Sequence, residues 1–439
     1  MSAMTEFAAE YAYDEDITAD FRKAGDPALK SGAYDVLRQH FASGAARRRE
    51  DPTGRRARGE RAMAGAASRE RDETTSFMRW QESVTAGNSS GNFDKENAVE
   101  SVSDKGSKPR SRSTICERDL TFHKELGVGM SGVVYLAKVK HTNAVCCVKV
   151  MRKRKLLRLE QATNITRELA LSKAFGDDTN FIMQSLTSFQ DKHSLYMVME
   201  FMPGGDLFQM LVHGTGTRGA FTPACARFYG AEVFLALEFL HHRQFVYRDL
   251  KPENVLVGAD GHCKLADLGF CKKVNRGTRT YTTCGTSDYM APEVMVSQGY
   301  DQSADIWAFG VFVFELLSGY APFKAASDST RHARILQADL KFKPDFPLNG
   351  KDLVSKLCVV DISLRLGCTN RGLDDIKDHQ FWETDWDVVA SRGAKPPAMP
   401  EMKDPARLAK LPALRGVCEP TTKTGEELTA TENAMFAEY

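Results

Sequence analysis

Apolar residues recur with a regular period only from about residue 120 onward. In the stretches "LTFHKELGVGMSGVVYLAKVK" and "AVCCVKVM", apolar and polar residues alternate, and a glycine-rich turn interrupts the first stretch. Alternation with a period of two is typical of half-buried strands. Together with "SLYMVMEFM" further on, these stretches predict an antiparallel sheet near the start of a folded domain.

Helical spacing replaces this alternation between and after the strands. The segment "LEQATNITRELALSKAF" predicts a helix among the strands, and "FTPACARFYGAEVFLALEFLHHRQ" and "SADIWAFGVFVFELLSG" predict two helices after them. Thr222, followed by Pro223, is expected to cap the first of these two helices, and Ser303 the second. The last helix is apolar on nearly every face, so it should be central to a core. This order predicts a two-lobed α+β protein.

Composition separates the first 115 residues from the rest. They are rich in Ala, Arg, Ser, Gly and Glu and are predicted to be a disordered arm. Their arginine cluster, "ARRREDPTGRRARGER", also contains acidic residues; we expect a solvated arm, with a docking or autoinhibitory segment such as a pseudosubstrate as the alternative. The stretch "KPRSRSTIC" offers Ser111, Ser113 and Thr114 as autophosphorylation sites.

Overall charge and cysteine spacing indicate no particular partner. The 439 residues carry a net charge of +1, so neither nucleic acid nor a membrane surface is favoured, and nucleic-acid binding would rest on the arginine cluster alone. Ten cysteines without a C-x-x-C pair suit a reduced compartment. The sequence shows no signal-peptide pattern and no apolar run long enough to span a bilayer. We expect a soluble protein without membrane insertion, located in the cytoplasm and also in the nucleus.

The stretch "FVYRDLKPENVLV", residues 245–257, places charged residues between two apolar ends that look like strands. Unpaired charges in a buried strand would lose several kcal/mol each to desolvation. The middle of this stretch is therefore predicted to be a loop at the mouth of a pocket. Its polar residues, each of which needs a partner there, are Arg248, Asp249, Lys251, Glu253 and Asn254.

A second polar feature lies in the predicted sheet. "GVGMSGVV" has the pattern G-x-G-x-x-G-x-V, and glycines let a backbone approach a polyphosphate and offer it N–H groups. The turn joins two strands, which disfavours a dinucleotide-binding domain, where it would join a strand to a helix. Lys149 lies in the apolar strand "VCCVKV" and needs an anion, for which Glu168 is the candidate; the alternative is a lysine that reaches water at a sheet edge.

With "DLG" at 267–269 and "APE" at 291–293, these motifs stand in the order of the protein-kinase signature. From Leu120 to Trp382 the chain resembles eukaryotic protein kinases. The resemblance implies a two-lobed kinase fold, with a small antiparallel-sheet lobe containing one main helix and a larger, mostly helical lobe. It also implies transfer of the γ-phosphoryl group of ATP, with Mg²⁺, to serine or threonine. The expected regions are a disordered arm (1–115), a kinase domain (120–382) and a C-terminal tail (383–439).

The resemblance also implies a role for each motif residue. Asp249 would accept or orient the proton of the substrate hydroxyl, and Lys251 would neutralise the transferring phosphoryl group. Asn254 and Asp267 would hold Mg²⁺. Lys149, paired with Glu168, belongs to the ATP-binding set, which is Gly127, Gly129, Gly132, Val134, Cys147, Lys149, Met199, Glu200, Met202 and Leu256.

The segment "RTYTTCGTSDYMAPE" resembles the activation segment of AGC-group kinases, particularly those regulated by cyclic nucleotides. By that match Thr282 is the activating phosphosite, with Arg248 and Lys272 as its cationic partners, and Thr286 lines the substrate cleft. Residues with expected structural roles are Glu293 paired with Arg365, and Asp305, Trp307 and Gly310. In the tail, Phe436 and Tyr439 would dock in a groove of the small lobe; an untethered tail is the alternative.

Partners follow from the same resemblance. Asp206 and Glu253 would bind arginine placed before the phosphoacceptor, whereas the acid expected in the large lobe aligns with Ala333. We therefore predict a retained preference for arginine three residues before the acceptor and a weaker one two before. Because the first 115 residues cannot supply a cyclic-nucleotide domain, control by a cyclic nucleotide would need a separate regulatory subunit.

Four positions depart from the family pattern. Leu268 replaces the usual Phe of the D-F-G motif, and Asn164 stands where His is frequent, which should weaken the hold of phosphorylated Thr282 on that helix. Cys147 stands where the family usually has an alanine against the adenine of ATP, and Cys271 directly follows the D-L-G-F block. Both thiols would be either oxidation-sensitive or inert. A non-catalytic scaffold stays an alternative, but such proteins usually lack one of the four catalytic or metal-binding residues present here.

Overall fold

The structure, a computed structural model, describes residues 116–175, 178–213, 219–417 and 428–437. The predicted disorder of residues 1–115, including the arginine cluster, and the predicted docking of Tyr439 lie outside this part of the chain. The strands are β1 Leu120–Val128, β2 Val133–Val139, β3 Val145–Arg152, β4 Ser185–Gln190, β5 Ser194–Glu200, β6 Gly205–Asp206, β7 Phe245–Val246, β8 Val255–Val257, β9 Cys263–Leu265 and β10 Lys272–Lys273.

The α-helices are α1 Lys153–Arg158, α2 Ala162–Phe175, α3 Leu207–His213, α4 Pro223–His242, α5 Pro292–Met295, α6 Ser303–Ser318, α7 Asp328–Leu336, α8 Leu348–Leu357, α9 Asp374–Lys377, α10 Trp386–Ala390, α11 Pro405–Leu408 and α12 Ala430–Ala434. Short 3₁₀ helices include Pro252–Asn254, Leu268–Phe270 and Ser287–Tyr289. No helix within the described ranges is both long and apolar enough to cross a membrane.

The small lobe is a five-stranded antiparallel sheet in the order β1-β2-β3-β5-β4. The glycine-rich turn connects β1 to β2 and is closed by a 2.8 Å hydrogen bond from Gly129 N to Gly132 O. Helix α2 packs against the sheet through Ile165 and Leu169, in a core that also contains Met151 and Met197. The predicted sheet with one main helix is therefore confirmed.

The larger lobe is mostly helical, and α6 is its centre because all of its residues are buried. Three two- or three-residue strands form a small sheet in the order β6-β8-β9, and β7 pairs with β10. The charged stretch of residues 245–257 lies between β7 and β8, so it is a loop flanked by two short strands, as the pattern predicts. The predicted two-lobed α+β fold is confirmed.

One predicted cap is present and one is wrong. Thr222 accepts a 3.3 Å hydrogen bond from Cys225 N at the start of α4, as predicted. Ser303 is the first residue of α6 rather than its cap, since its own backbone N–H donates to Asp301 Oδ1 at 3.0 Å. The Ser303 hydroxyl instead points inward and donates to Glu293 Oε1 at 3.4 Å, because the residue is buried.

The C-terminal segment runs along both lobes. Met399 packs against Gly261 of the large lobe, where a β-carbon would come within 2.4 Å of Met399 Sδ. Leu414 N donates to Phe122 O of β1 at 2.7 Å. Further on, Phe436 is fully buried with the α2 residues of the small lobe, and the ammonium of Lys153 lies 5.7 Å from the centre of its ring.

Candidate active site

Lys149 lies in the centre of the sheet, on β3, and is paired with Glu168 on α2. Its Nζ is 2.9 Å from both carboxylate oxygens, and both side chains are buried. Burial acts to lower the pKa of Lys149, but the carboxylates of Glu168 and Asp267 outweigh it and raise the pKa to about 12. Lys149 is therefore a fixed positive charge and does not reach water at a sheet edge.

A cavity of about 380 Å³ opens beside this ion pair, between the glycine-rich turn and the large lobe. Its size is within the range of pockets that hold small ligands and cofactors. It is lined by all ten residues of the predicted ATP-binding set, which are Gly127, Gly129, Gly132, Val134, Cys147, Lys149, Met199, Glu200, Met202 and Leu256. A β-carbon at Gly132 would lie 2.4 Å from Val150 O, so the turn can sit this close to β3 only with glycine there.

Asp249 is the centre of a hydrogen-bond network in the loop between β7 and β8. Its Oδ2 accepts from Lys251 Nζ at 2.8 Å and from Asn254 Nδ2 at 2.9 Å. Its Oδ1 accepts from the hydroxyl of Thr286 at 2.9 Å, and Lys251 Nζ also donates to that hydroxyl at 2.8 Å. A hydroxyl of the activation segment thus already occupies a position between the carboxylate and the ammonium.

The backbone is strained in the loop that carries Asp249, residues 247–254, which we call the catalytic loop. Arg248 in this loop has φ 75°, and Asp267, which follows β9, has φ 53°, both in the left-handed region that non-glycine residues rarely adopt. Asp305 on α6 holds the loop, since its carboxylate accepts from Tyr247 N at 2.7 Å and from Arg248 N at 2.8 Å. It also bonds His241 Nε2 at 2.8 Å. The central apolar helix therefore positions the catalytic loop.

Two side chains, Asn254 beside Asp249 and Asp267 in the cavity lining, offer oxygen atoms to a cation. The amide nitrogen of Asn254 faces Asp249, so Oδ1 is the acceptor that Asn254 can offer. Asp267 lies across the cavity, where its charge acts on Lys149. Within the described residues, no cluster of three or more His, Cys, Asp or Glu residues could hold a metal ion alone. The pair suits Mg²⁺, which commonly binds one or two protein groups and completes its shell with phosphates and water.

The activation segment is tied to the catalytic loop through Tyr300. The hydroxyl of Tyr300 donates to Thr282 O at 2.6 Å and accepts from Arg248 Nη1 at 3.2 Å. Arg248 Nε donates to Phe270 O at 2.6 Å. The side chain of Thr282 is exposed, and Lys272 lies on β10, which pairs with β7 just before the catalytic loop. The predicted phosphosite and its predicted cations therefore belong to one connected region.

Glu293 and Arg365 form a second buried ion pair, in the large lobe. Arg365 Nη1 and Nη2 lie 2.7 and 3.0 Å from the two Glu293 oxygens, and Arg365 is fully buried. The guanidinium also donates to Ser303 O at 2.7 Å and to Val359 O at 2.9 Å. The guanidinium also lies 5.3 Å from the ring centre of Trp307. All of these partners are protein groups, so the pair joins segments of the large lobe.

The acidic side chains near the cleft include two that were assigned from the sequence, Asp206 and Glu253, and one that was not, Glu315. Asp206 and Glu253 line the cavity. Glu315 is buried on α6 and bonded by Tyr289, while burial and the charges of Glu253 and Asp288 raise its pKa to about 7. The large lobe therefore does contain an acid near Glu253, although the position aligned with the expected acid is Ala333. A lone glutamate in the apolar helix "IWAFGVFVFELLSG" was the available signal.

The two cysteines of the cavity region are inert by burial. Cys147 is 8% exposed, and desolvation raises the pKa of its thiol to about 12. Burial also raises the pKa of the Cys271 thiol. Both are held in the unreactive thiol form at neutral pH, which favours the inert alternative. Leu268 is buried beside Tyr247 in the same core, as a replacement for Phe requires.

An ATP-sized cleft under a glycine-rich turn, a buried lysine–glutamate pair and a strained Asp-containing loop together define a protein kinase. The chain belongs to the protein kinase family: the family described as "Protein kinase domain" matches residues 120–382. It is a serine/threonine kinase of the AGC group, and the resemblance stated from the sequence is confirmed.

Relatives from several organisms support this assignment. The chain is 40% identical over 278 residues to the mouse cAMP-dependent protein kinase catalytic subunit PRKX, covering 63% of this chain and 76% of the relative. It is 35% identical over 356 residues to a Caenorhabditis elegans cAMP-dependent protein kinase catalytic subunit-like protein, covering 81% and 86%. It is 37% identical over 286 residues to Saccharomyces cerevisiae cAMP-dependent protein kinase type 3, covering 65% and 70%.

Proposed function

We propose that this kinase transfers the γ-phosphoryl group of Mg-ATP to serine or threonine in basic protein sequences, under the control of Thr282 phosphorylation. The observation that carries the proposal is the network in which Asp249 and Lys251 hold the Thr286 hydroxyl between them, at 2.9 and 2.8 Å. A substrate hydroxyl bound beside this network meets a carboxylate that can take its proton and an ammonium that can neutralise phosphate.

The residues of the cavity, together with Asn254 in the loop next to its lining residue Glu253, fit Mg-ATP. Gly132 brings the turn close to β3 where a β-carbon would clash, and Lys149 supplies a buried positive charge. Asn254 and Asp267 offer the oxygen ligands that Mg²⁺ prefers, and the family uses ATP and Mg²⁺ generally. When bound, Mg-ATP supplies the phosphoryl group and the charge that neutralises it. Lys149, Asn254 and Asp267 would hold the nucleotide, while Asp249 orients the hydroxyl.

The proposed switch acts through Arg248. A phosphate on exposed Thr282 would lie near Tyr300, whose hydroxyl already bonds both Thr282 O and Arg248 Nη1. Arg248 and Lys272 would supply charge-assisted hydrogen bonds to it. Because Arg248 immediately precedes Asp249, ordering its side chain steadies the catalytic loop. Thr282→Ala is expected to lower the transfer rate, and a parent protein equally active without this phosphate would contradict the switch.

Substrate preference for arginine is proposed from the acidic side chains around the cleft. Asp206 and Glu253 are the partners proposed for an arginine three residues before the acceptor. Glu315, beside Glu253 and Asp288, gives the large lobe a further acid for an arginine two before it. We therefore revise the expected weakness at that second position and propose that both arginines favour transfer.

Control by a separate cyclic-nucleotide-binding subunit is also proposed. Its support is that relatives at 35–40% identity bear the name catalytic subunit of cAMP-dependent protein kinase. Purified protein mixed with a cyclic-nucleotide-binding regulatory subunit should form a complex that cyclic AMP dissociates. No complex, or one indifferent to cyclic AMP, would contradict this part of the proposal.

The experiment for the proposed reaction measures phosphate transfer from Mg-ATP to a panel of serine and threonine peptides with arginine at varied positions. The parent is expected to phosphorylate the peptides, and Asp249→Asn to lower the rate by about 10²- to 10⁴-fold because the base is lost. Asp345→Asn, on the exposed surface, is the matched control and should transfer like the parent. Absence of transfer by Thr282-phosphorylated parent, or unimpaired transfer by Asp249→Asn, would contradict the proposal.

A further inference from the structure

A lysine from the C-terminal segment lies at the mouth of the nucleotide cavity. The backbone N–H of Lys403 donates to Pro203 O at 3.0 Å, just after the strand that carries Met199 and Glu200. The side chain of Lys403 is part of the cavity lining. The C-terminal segment therefore contributes a positive charge to a site whose other proposed residues all come from the two lobes.

The ammonium of Lys403 lies against the turn that contains Asp206. Its Nζ is 3.4 Å from Gln209 Oε1, and a β-carbon on Gly205 would lie 3.4 Å from it. Asp206 Oδ1 accepts from the backbone N–H of the same Gln209 at 2.8 Å. Lys403 and Asp206 therefore both form a hydrogen bond with Gln209, at the turn of residues 205–209. Lys403 is an exposed residue, and among the described residues its ammonium makes one hydrogen bond, the 3.4 Å contact with Gln209, so the ammonium can move aside.

Charge coupling supports the same placement. Burial raises the pKa of Asp206, while the positive charge of Lys403 acts to lower it. Glu253 is the other acid coupled to this group, since the charge of Asp206 acts to raise the pKa of Glu253. Asp206, proposed to receive a substrate arginine, thus has a cation of the chain itself near it.

We propose that Lys403 is a specificity-determining residue, an in-chain cation that competes with the substrate arginine for Asp206. This inference rests on the proposed role of Asp206 in substrate binding. An arginine that enters the turn meets the like charge of Lys403 and must displace it or share the carboxylate. Lys403 therefore lowers the discrimination in favour of arginine below what Asp206 would give alone.

The test compares kcat/KM for two peptides that differ only in having arginine or alanine three residues before the acceptor. Lys403→Met is expected to raise the arginine-to-alanine ratio about two- to fivefold, the range of an exposed charge pair. The increase should come from KM for the arginine peptide and should shrink with added salt, because the interaction is exposed. Lys410→Met, an exposed tail lysine outside the cavity, is the matched control and should leave the ratio unchanged.

A second pair of variants separates the inference about Lys403 from the proposed role of Asp206 on which it rests. In an Asp206→Asn background, Lys403→Met should no longer alter the ratio, since the group for which the cations compete is gone. An unchanged ratio in Lys403→Met, with the parent's arginine preference intact, overturns the inference alone. A higher KM for ATP without a change in the ratio also overturns it, because Lys403 would then be a nucleotide contact. A parent indifferent to arginine overturns both the role of Asp206 and the inference.

Discussion

Two buried ion pairs in the described part of the chain, one formed by a lysine and one by an arginine, have similar geometry but different surroundings. Lys149 and Glu168 join β3 to α2 and open onto the 380 Å³ cavity. Glu293 and Arg365 are closer together, at 2.7 Å, and Arg365 also donates to two backbone carbonyls, those of Ser303 and Val359. The first pair lines the cavity and can contact a ligand there, whereas the second pair is buried among protein groups.

The comparison indicates that burial and ion pairing alone do not identify a functional charge. A buried pair adds little to stability compared with apolar residues, but breaking one leaves an uncompensated charge. What distinguishes Lys149 is its access to the cavity and to Asp267, whose charge acts on it. Catalysis is therefore assigned to the open pair, Lys149–Glu168, and stability to the closed pair, Glu293–Arg365.

The largest expected effect is on the closed pair. Arg365→Met should lower the free energy of unfolding by about 3–5 kcal/mol, because Glu293 then stays buried without its partner. The measurement is urea unfolding of purified protein. Lys356→Met removes an exposed pair with Asp352 and is the control, expected to change stability by less than about 1 kcal/mol. Equal losses in both variants would contradict the distinction between buried and exposed pairs.

The next effect is on the open pair. Lys149→Met should lower the rate of phosphate transfer by about 10²- to 10³-fold, since a preorganised charge facing the phosphates is lost. The measurement is steady-state transfer from Mg-ATP to an arginine-containing peptide. Lys124→Met, on the exposed end of β1, is the matched control and should retain the parent rate. Transfer by Lys149→Met at the parent rate would remove Lys149 from the catalytic set.

A smaller effect tests how the catalytic loop is held. Gly285 has φ 96°, and a β-carbon there would lie 2.3 Å from Arg248 O, so Gly285→Ala must displace the loop. The transfer rate should fall by about 10²-fold through misplacement of Asp249. Gly277→Ala is the matched control, because Gly277 has φ 79° but nothing within 4 Å of its β-carbon position. If both variants lose activity equally, backbone strain rather than the clash explains the loss.

The smallest effect is a pH dependence from Glu315. Its pKa is raised from 4.5 to about 7, so the folded state holds a proton that the unfolded state has released between these values. Stability from this group is therefore lost as pH rises through that window, with a slope of at most about 1.4 kcal/mol per pH unit. Glu315→Gln should reduce the slope in unfolding experiments across this range. An identical slope in the variant would contradict the assignment.

The sequence predicted the elements that depend on periodicity and motif order. Alternation predicted the sheet, the apolar run predicted the central helix α6, and the kinase motifs predicted which residues line the cavity. These features follow from local patterns, because a strand face or a glycine-rich turn is determined by neighbouring residues. Thr222 was placed correctly as a cap for the same reason.

Contacts between residues that lie far apart along the chain were harder to predict from the sequence. Ser303 has the residue type of a cap but lies in the closed pair's network, which involves Arg365, 62 positions away along the chain. Glu315 was hidden in an apolar helix, and its proximity to Glu253 follows only from how the lobe folds. Lys403 carries no motif, so its place at the cavity could be found only from the path of the C-terminal segment.

The most direct test of the central claim measures both unfolding and phosphate transfer on the same preparations of Lys149→Met and Arg365→Met. Because Glu168 is left beside the cavity, Lys149→Met should lose less stability than Arg365→Met, but it should transfer phosphate about 10²- to 10³-fold more slowly than the parent. Arg365→Met should lose several kcal/mol of stability, while the fraction that stays folded transfers at a rate near that of the parent. If Lys149→Met loses as much stability as Arg365→Met and retains the parent's transfer rate, the open pair is structural and its assignment to catalysis is wrong.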